Sequence, residues 1–522
     1  MRHIAKASLV CAILLSMSLL FLPSQEKNTG TRALSLQDCI AGALANNLSL
    51  TIEAFNPGIQ DAAVAATREP FLPQFGASFS KENLTSLGVW GLQGTSYPFK
   101  LSNYSFTLSQ KVALGTMAVL DVGNSSSTTG QKYSVINPSY NGTVQLTITQ
   151  PLLKGFGTKV NRATTYQAER QKEIATATLK ARVLQTLYDT EQAYWNLYND
   201  LENMKVQQSS LEQSREVLKR AKEGERIGNQ SAIDVLNAET AAAGWEDALV
   251  SARLRADLSE SILRKILNLP PIAPDSTERL ALSEKPAVEK VEINYEQALA
   301  AALVHRPEII QADKLVAINT SQVGYWTNQV LPQLDLSLNG WSQGQSGVKF
   351  IYENGDPING RLIDTIVGSR WDAFRQALKG TYTSWSAQLN LIIPLADVFS
   401  RASLTQARIQ KDQSQAALES QKQTVAFDVA ETLKQLQNAE LRIRSSAAAR
   451  ALQEKRLAAE LQRYQLGLAD SRWLFDYQRQ LAAARTSEVQ AVIDYRIAAA
   501  RLELAMGTTL ETKGLKFRDY QF

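Results

Sequence analysis

The sequence contains very little cysteine and histidine, and this scarcity argues against several kinds of functional site. Its 522 residues include two cysteines and two histidines. Cys11 and His3 lie in an N-terminal segment that we expect to be removed, which leaves Cys39 and His305. A single cysteine cannot form an intramolecular disulfide, and catalysis or metal binding usually needs several convergent His, Cys or acidic side chains. We therefore expect no cofactor, no metal site and no enzyme activity.

Long apolar runs are also missing, apart from one at the N-terminus. Arg2 and Lys6 precede the apolar stretch 7–22, which Pro23 ends. The stretch is short for a membrane helix and its positive flank is typical of a secretory signal, so we predict a signal peptide at 1–24. An uncleaved anchor is the alternative. An exported chain of this size is periplasmic, secreted or in a Gram-negative outer membrane, which only a β-barrel crosses without an apolar helix.

Clustered basic charge is missing as well. The net charge of +4 falls to +2 when Arg2 and Lys6 are removed with the signal peptide. Nucleic-acid binding usually requires a basic patch or stripe on one face of the protein. We therefore expect no nucleic-acid partner.

Two long segments lack both glycine and proline. Residues 158–223 and 395–466 are instead rich in Ala, Leu, Gln, Glu, Lys and Arg, which favour helices. At about 1.5 Å per residue each helix would be roughly 100 Å long. Apolar residues recur at three- and four-residue steps, which indicates a coiled-coil-like seam. Since a second helical stretch follows a glycine in each case, we predict two long antiparallel helical hairpins, at 158–269 and 395–506.

The segments before the hairpins alternate apolar and polar residues. This period of two predicts strands with one apolar and one polar face, in the pairs 74–83 with 140–150 and 333–343 with 384–393. Such faces suit a barrel with lipid outside and water inside, although a half-buried strand of a soluble sandwich would show the same pattern. Four strands cannot close a membrane barrel, which needs about eight. The strands would therefore have to be pooled between protomers.

Between the strands of each pair we expect polar loops. The segments 84–102 and 340–383 are rich in Gly, Ser and Asn. The first half continues with extra material, in which alternation at Tyr104–Leu108 and a turn signal at Gly115 leave open an added hairpin or a longer excursion within 84–139. The polar run 124–130 is predicted to be a loop.

The order of these segments occurs twice along the chain. Phe71–Phe75 (Phe-Leu-Pro-Gln-Phe) returns as Val330–Leu334 (Val-Leu-Pro-Gln-Leu), and Arg226–Gly228 matches Gln465–Gly467. Repetition at such a long period indicates duplication of a whole structural unit rather than a solenoid. The predicted organisation is a signal peptide at 1–24, a first repeat at 25–270, a linker at 271–290, a second repeat at 291–510 and a C-terminal tail at 511–522.

Together these segments resemble the outer membrane efflux proteins of the TolC type. The resemblance covers essentially the whole mature chain and rests on the repeated strand–strand–hairpin order, the strand exit Gln150–Leu153 and the two hairpin tips Arg226–Asp234 and Arg463–Asp470. It implies a mainly α fold with a β-barrel. Each protomer of a homotrimer would give four strands to a transmembrane barrel of twelve, and its hairpins to a periplasmic α-barrel.

The resemblance also implies a function. The trimer would be the outer-membrane exit duct of a tripartite efflux or type I secretion system and would export substrates passively. The implied partners are a periplasmic adaptor, an inner-membrane pump of the RND or ABC type, and outer-membrane lipid. The alternative is a soluble periplasmic coiled-coil scaffold or adaptor, although such proteins lack alternating strand pairs in both halves.

Four residues near the hairpin tips match positions with gating roles in the family. Tyr464 would donate a hydrogen bond to Asp234 as part of a link that closes the periplasmic end. Asp476 would lie at the constriction, where three copies would attract cations. Trp473 replaces a second charged residue there, either as an apolar plug or as a packing residue. The tips that meet the adaptor would be shaped by Gly228, Gly467 and Leu468.

Overall fold

The computed structural model describes most of the chain after residue 32. The described residues are 33–86, 96–131, 133–228, 230–272, 279–288, 290, 292–466 and 471–517. The predicted signal peptide at 1–24 lies outside them. The chain forms two compact units, which we call the helical unit and the sheet unit. The helical unit contains the described parts of Met1–Ser49, Val183–Asn294 and Glu431–Leu504, and the sheet unit contains those of Leu50–Arg182, Tyr295–Ala430 and Ala505–Phe522.

Helix is the dominant secondary structure, at 63%, which confirms the expectation of a mainly α chain. The α-helices of the described ranges are α1 (Leu36–Asn46), α2 (Leu48–Ala54), α3 (Asn56–Ala66), α4 (Thr158–Asn161), α5 (Ala163–Arg226), α6 (Ala232–Ile266), α7 (Tyr295–His305), α8 (Pro307–Gln329), α9 (Arg370–Leu378), α10 (Val398–Gln465), α11 (Ser471–Met506) and α12 (Thr509–Thr512).

Two helices are far longer than the others, and each is followed by a shorter return helix. α5 and α10 have 64 and 68 residues, and α6 and α11 have 35 and 36. Ion pairs show that α5 and α6 run antiparallel: Lys222 pairs with Glu239 at 2.7 Å, and further from the turn Arg215 pairs with Glu246 at 3.6 Å. Proline is absent from both long helices, and their one glycine is Gly224 in the last turn of α5, so the backbone hydrogen bonds continue unbroken over many turns.

A buried cluster connects the first and second halves inside the helical unit. Trp195 of α5 is only 1% exposed, and its indole Nε1 donates to Glu191 Oε1 at 3.4 Å. Arg496 of α11 lies over the Trp195 ring, with Cζ 5.3 Å from the centroid, and its Nη2 is 3.7 Å from Glu191 Oε1. A buried carboxylate loses its hydration, so the nearby guanidinium is needed to compensate it.

The β-strands form one small and one large sheet. They are β1 (Ala33–Leu34), β2 (Gln74–Ser86), β3 (Tyr97–Lys111), β4 (Met117–Thr129), β5 (Ile136–Pro151), β6 (Ala281–Leu282), β7 (Gln333–Tyr352), β8 (Leu362–Val367) and β9 (Tyr382–Ile392). β1 and β6 are a parallel pair in the helical unit. The large sheet has seven antiparallel strands in the order β2-β3-β4-β5-β7, where β9 pairs with residues 333–343 of β7 and β8 with residues 348–352.

This sheet corrects the expectation of four strands per protomer. The first-half segment 84–139 supplies β3 and β4, which fill the sheet between β2 and β5. Most of the predicted loop 124–130 therefore lies in β4, and the predicted loop 340–383 contains the end of β7, β8 and α9. Asparagine and serine, which make up residues 124–127, give a weak local strand signal. The backbone N–H and C=O groups of β4 are nevertheless hydrogen-bonded, because β4 pairs with β3 on one side and β5 on the other.

The sheet has an apolar face and a polar face that continue across six strands. One row of directly opposed residues on the apolar face is Phe75, Leu108, Leu120, Leu146, Gly340 and Trp385. The adjacent row on the polar face is Gln74, Ser109, Val119, Thr147, Asn339 and Ser386. The large side chains of the apolar face, such as Phe75 and Trp385, are exposed in the protomer. A face of this kind needs an apolar environment around it.

The turn between β3 and β4 is anchored to the start of the helical segment that follows β5. Gly115 has a positive φ of 100°, and a Cβ there would lie 2.5 Å from the Gly155 carbonyl oxygen. Asn161 Nδ2 donates to the carbonyl oxygens of Gly155 and Gly157, at 2.7 and 3.0 Å. Both glycines also have positive φ, so glycine is favoured at one position in the β3–β4 turn and at two positions in the segment after β5.

We predict that Cys39 does not react with iodoacetamide in the folded protein. The side chain is fully buried, and this burial, together with the nearby Asp38 and Glu284 carboxylates, raises the pKa of the thiol to about 12. Because the thiolate is the reactive form, labelling measured by mass spectrometry should be absent at neutral pH and appear only in strong alkali. Glu212→Cys, at an exposed position of α5, is the matched control. Equal labelling rates at neutral pH would contradict the buried position.

Candidate gate at the hairpin tips

The turn between α5 and α6 forms the tip of the first hairpin. α5 ends at Arg226, and Gly228 has a φ of 75°, which glycine adopts without strain. The Ser231 hydroxyl accepts from the Asp234 backbone N–H at 3.3 Å, while the Asp234 carboxylate accepts from the Ser231 N–H at 3.1 Å and from its hydroxyl at 2.7 Å. This capping box fixes the start of α6.

Gln230 connects the first tip to the second hairpin. Its Nε2 donates to the Tyr464 hydroxyl at 3.0 Å, and Tyr464 lies in the last turn of α10. The side chain of Gln230 packs over Gly224, where a Cβ would approach Gln230 Cγ at 3.0 Å. A larger residue at position 224 would therefore push Gln230 away from Tyr464.

Ser471 makes a second connection between the two hairpins. It begins α11, is buried, and donates from its hydroxyl to Asp234 Oδ1 at 3.0 Å. The hydrogen bond from the Ser231 side chain, supported by those from the Ser231 backbone and the Ser471 hydroxyl, lowers the pKa of Asp234. Within one chain, then, Asp234 is bonded to Ser231 and Ser471 and Tyr464 to Gln230. The predicted Tyr464–Asp234 hydrogen bond between neighbouring hairpins stays a prediction.

Asp476 and Trp473 lie close together near the start of α11. The Asp476 carboxylate accepts from Gln480 Nε2 at 2.7 Å and from Arg479 Nη2 at 3.3 Å. Trp473 is 50% exposed, and its ring centroid lies 6.1 Å from that of Tyr477. Residues three and four apart share one face of a helix, so these side chains form one mixed polar and aromatic surface. Arg479 offsets part of the negative charge of Asp476.

The side of α11 that lies away from Trp473 and Asp476 packs into a core, and this packing fixes the rotation of the helix about its axis. Leu474 is fully buried, and Phe475 packs against Ala221 of α5 and against Val235 and Ala238 of α6. Burial of an aromatic side chain of this size contributes about 1.5–3 kcal/mol. The packing therefore holds α11 so that Trp473 stays outside this core.

A groove lies between α6 and α11. Gly244 leaves it open, because a Cβ there would have no neighbour within 4 Å, and two arginines give it positive charge. Its lining includes Asn237, Thr240, Gly244, Trp245, Arg472 and Arg479. Two of the predicted tip residues, Gly467 and Leu468, lie outside the described residues.

Sequence reasoning missed Gln230, Ser471 and the arginines of the groove. The spacing from Ser231 to Asp234 is a readable capping signal, and it could have shown that Asp234 is bonded locally. No local pattern marks Gln230, since its contacts with Gly224 and Tyr464 exist only after the two hairpins have packed together. The same is true of Ser471, whose partner lies more than two hundred residues away in sequence.

Comparison with known protein families gives one match that covers most of the chain. The family described as "Outer membrane efflux protein" matches residues 39–269 and 298–508, and these two stretches include both helical hairpins. The chain belongs to the outer membrane efflux protein family. A comparison with curated proteins gives no significant match.

Solved structures of outer membrane channels have a similar fold. The CmeC outer membrane channel of Campylobacter jejuni superposes with a TM-score of 0.63 at 15% identity, covering 91% of this chain and 86% of that one. The outer membrane protein VceC of Vibrio cholerae gives 0.62 at 16%, covering 90% and 96%. The open state of the MtrE outer membrane channel of Neisseria gonorrhoeae gives 0.62 at 19%, covering 91% and 89%. At these identities the similarity concerns the fold.

Family membership confirms the predicted location and class. The chain is an outer membrane protein of a Gram-negative bacterium with a periplasmic extension. Its family and fold are those of outer membrane channels rather than enzymes. Within the described ranges, none of the helices has both the length and the hydropathy needed to cross a bilayer.

We predict that Ser471→Ala weakens the contact between the two hairpins. A hydrogen bond to a charged group contributes about 1.5–3 kcal/mol, and the lower end of this range corresponds to roughly tenfold faster local opening. The measurement is hydrogen–deuterium exchange of residues 230–240 followed by mass spectrometry. Ser487→Ala, at an exposed position of α11, is the matched control and should leave the exchange unchanged.

The same contact should depend on pH in a defined direction. Because the pKa of Asp234 is lowered in the folded protein, its stabilising contribution is present above the ordinary carboxyl pKa of about 4 and is lost as the pH falls through the lowered value. The difference in opening between wild type and Ser471→Ala should therefore shrink on acidification. A difference that grows with acidification would show that Asp234 is not the acceptor.

Proposed function

We propose that this protein is the outer-membrane exit duct of a tripartite efflux or type I secretion system. Substrates would reach it from an inner-membrane pump of the RND or ABC type through a periplasmic adaptor and pass through it without an energy source of its own. The observation that carries the proposal is a sheet with an apolar and a polar face in the same chain as two long helical hairpins. A duct across an outer membrane and periplasm needs both parts.

The six long strands have the dimensions and chemistry of a membrane-spanning wall. A tilted strand needs about 9–11 residues to cross a bilayer. β9 has 11 residues, β2 and β4 have 13, and β7 has 20. Lipid would surround the apolar face, and the polar face would line a water-filled lumen.

Among the described residues, the long edge strands of the sheet are β2 on one side and β9, beside the short β8, on the other, and these open edges favour a closed trimer. Unpaired backbone groups at an edge cannot be hydrogen-bonded by lipid, at a cost of several kcal/mol each. We propose that β2 of one protomer pairs with β9 of the next, so that three protomers close the ring. Three copies of six long strands give a barrel of eighteen strands rather than twelve. Eighteen is an even number of strands, and a barrel of this size encloses an aqueous channel.

The hairpin tips would close the periplasmic end of the duct. The bonds from Gln230 to Tyr464 and from Ser471 to Asp234 hold the two hairpins of one protomer together at the tip. Opening would then separate neighbouring protomers rather than the hairpins of one chain. Three copies of Asp476 would surround the axis and favour cations.

The adaptor would bind at the tips and in the groove between α6 and α11. Gly244 allows another helix to approach closely there, and Arg472 and Arg479 would attract acidic side chains of the adaptor. Gly228, Gly467 and Leu468 stay the proposed contacts at the turns themselves.

The two halves, 25–270 and 291–510 with the linker 271–290, would derive from an internal duplication. The repeated sequence segments support this origin. So do the nearly equal lengths of α5 and α10, and of α6 and α11. The additional pair β3 and β4 in the first half would then be an insertion into one copy.

Closure at the sheet edges can be tested by cross-linking. We predict that Ser78→Cys on β2 and Gln388→Cys on β9, combined in one chain, give covalent dimers and trimers with a bifunctional maleimide. Both positions are exposed on the polar face of an edge strand. Thr147→Cys combined with Gln388→Cys is the control, since β5 is a central strand and should give no ladder on a denaturing gel. Equal ladders from both combinations, or none from the first, would contradict edge-to-edge closure.

The role of Asp476 can be tested in planar bilayers. We predict that Asp476→Ala lowers the ratio of cation to anion permeability about twofold, because it removes three charges around one axis while Arg479 remains. Asp247→Ala, which removes an exposed carboxylate from α6, is the matched control. Unchanged selectivity in the Asp476 variant would remove this residue from the constriction.

A further inference from the structure

Helix α9 lies on the apolar face of the sheet, above the row that contains Tyr104, Asn124, Gly142 and Gly344. A Cβ at Gly142 would lie 2.7 Å from the Ala373 carbonyl oxygen, and one at Gly344 would collide with the same atom. The buried side chains of Ala373 and Ala377 face these glycines. Four small residues thus let the helix lie directly on the strands.

Polar contacts fix the helix to four strands. Arg370 Nη2 donates to Ser102 Oγ of β3 at 2.5 Å, and Asn124 Nδ2 of β4 donates to the Arg370 carbonyl oxygen at 3.3 Å. The Arg370 guanidinium also lies over the rings of Tyr104 and Tyr140, at 5.1 and 5.7 Å. On β7, the Gln345 backbone N–H donates to Gln376 Oε1 at 3.3 Å. These contacts hold α9 at a defined position on the apolar face.

The outward side of α9 is apolar and basic. Trp371 and Leu378, seven residues apart and hence on one side of the helix, are each 56% exposed. Arg375 and Lys379 are also exposed, and the Arg375 guanidinium lies 5.8 Å from the Trp371 ring centroid. Aromatic and aliphatic residues beside basic ones are typical of helices that lie in a membrane interface.

The position of α9 favours lipid over a neighbouring protomer as its cover. It contacts β4, β5 and β7, which are central strands, whereas the proposed trimer closes through β2 and β9. Below the helix, the apolar face of the sheet carries the row of mostly large apolar residues that runs from Phe75 to Trp385. Above the level of Tyr104 most residues of this face are polar, as at Ser102 and Ser126, although Tyr140 lies in the same row. The helix thus marks the end of the apolar belt.

We propose that α9 is an interfacial helix that binds the outer-leaflet lipid, with Trp371 and Leu378 among the upper acyl chains and Arg375 and Lys379 on the anionic phosphate headgroups. This inference rests on the proposed function, because it needs the apolar face to be surrounded by lipid. Its consequence is that the lipid-contacting surface of this chain includes a helix and not strands alone.

The test uses an environment-sensitive fluorophore on single introduced cysteines, in protein reconstituted into vesicles with brominated acyl chains. Leu378→Cys reports on α9, Leu389→Cys on the apolar belt, and Gln343→Cys on the polar face at the level of the helix. Buried Cys39 should not compete for the label, and each variant is first checked for an unchanged mass in detergent. We expect blue-shifted, quenched emission at positions 378 and 389, and neither at 343.

The outcomes separate the two proposals. Quenching at 389 without quenching at 378 would overturn the interfacial helix and leave the duct intact. A blue shift at 378 without quenching would mean that protein covers α9, which also overturns the lipid assignment. Absence of quenching at 389 would contradict the membrane-spanning sheet itself.

The proposed contacts of Arg375 and Lys379 with phosphate headgroups can be tested by changing the charge of the lipid. With Leu378→Cys, replacing phosphatidylcholine by phosphatidylglycerol should increase the blue shift. Arg375→Gln combined with Lys379→Gln should abolish that increase while quenching by brominated chains remains. An increase of equal size in this variant would overturn the assignment of the phosphate contacts to Arg375 and Lys379.

Discussion

The register of the six long strands is the constraint on which the rest of the structure depends. Because side chains alternate along a strand, a slip of one residue would move Phe75, Leu108 and Leu146 to the other face. In the observed register these residues form one row with Trp385, whereas the adjacent row on the other face is polar except for Val119. This single arrangement separates an apolar surface from a polar one, as a wall between lipid and water would require. It also determines the side of the sheet on which α9 lies.

The helical hairpins are long, and most of their surface is polar. Each long helix buries only a narrow apolar seam, so specific contacts between the halves add to its stability. Arg496 over Trp195 is one such contact, and the bonds of Gln230 and Ser471 at the tips are two more. They connect the hairpins of one protomer directly. These bonds hold together only the hairpins of one chain. We therefore expect that opening of the duct would move neighbouring protomers apart.

Much of this architecture could be predicted from sequence, and the exceptions have physical causes. The long helices were predictable because residues 158–223 and 395–466 lack glycine and proline, and β2, β5, β7 and β9 because their apolar and polar residues alternate. The second half of β4 was predicted as a loop because its run of asparagine and serine has little local strand preference and is held by pairing on both edges, whereas its first half was left open as part of an added hairpin. α9 lay inside another predicted loop, and its packing depends on glycines in distant strands. At the gate, the capping box at Ser231 was readable, whereas the partners of Tyr464 and Ser471 depend on tertiary packing.

The number of strands in the assembled ring tests this account most directly. Electron cryomicroscopy of the detergent-solubilised protein would show it without labels or substitutions. We predict three chains in a closed ring of eighteen long strands, with β2 beside β9 of the neighbour and α9 on the outside. A ring of twelve strands with β3 and β4 outside it, or a single chain with an open sheet, would contradict the account.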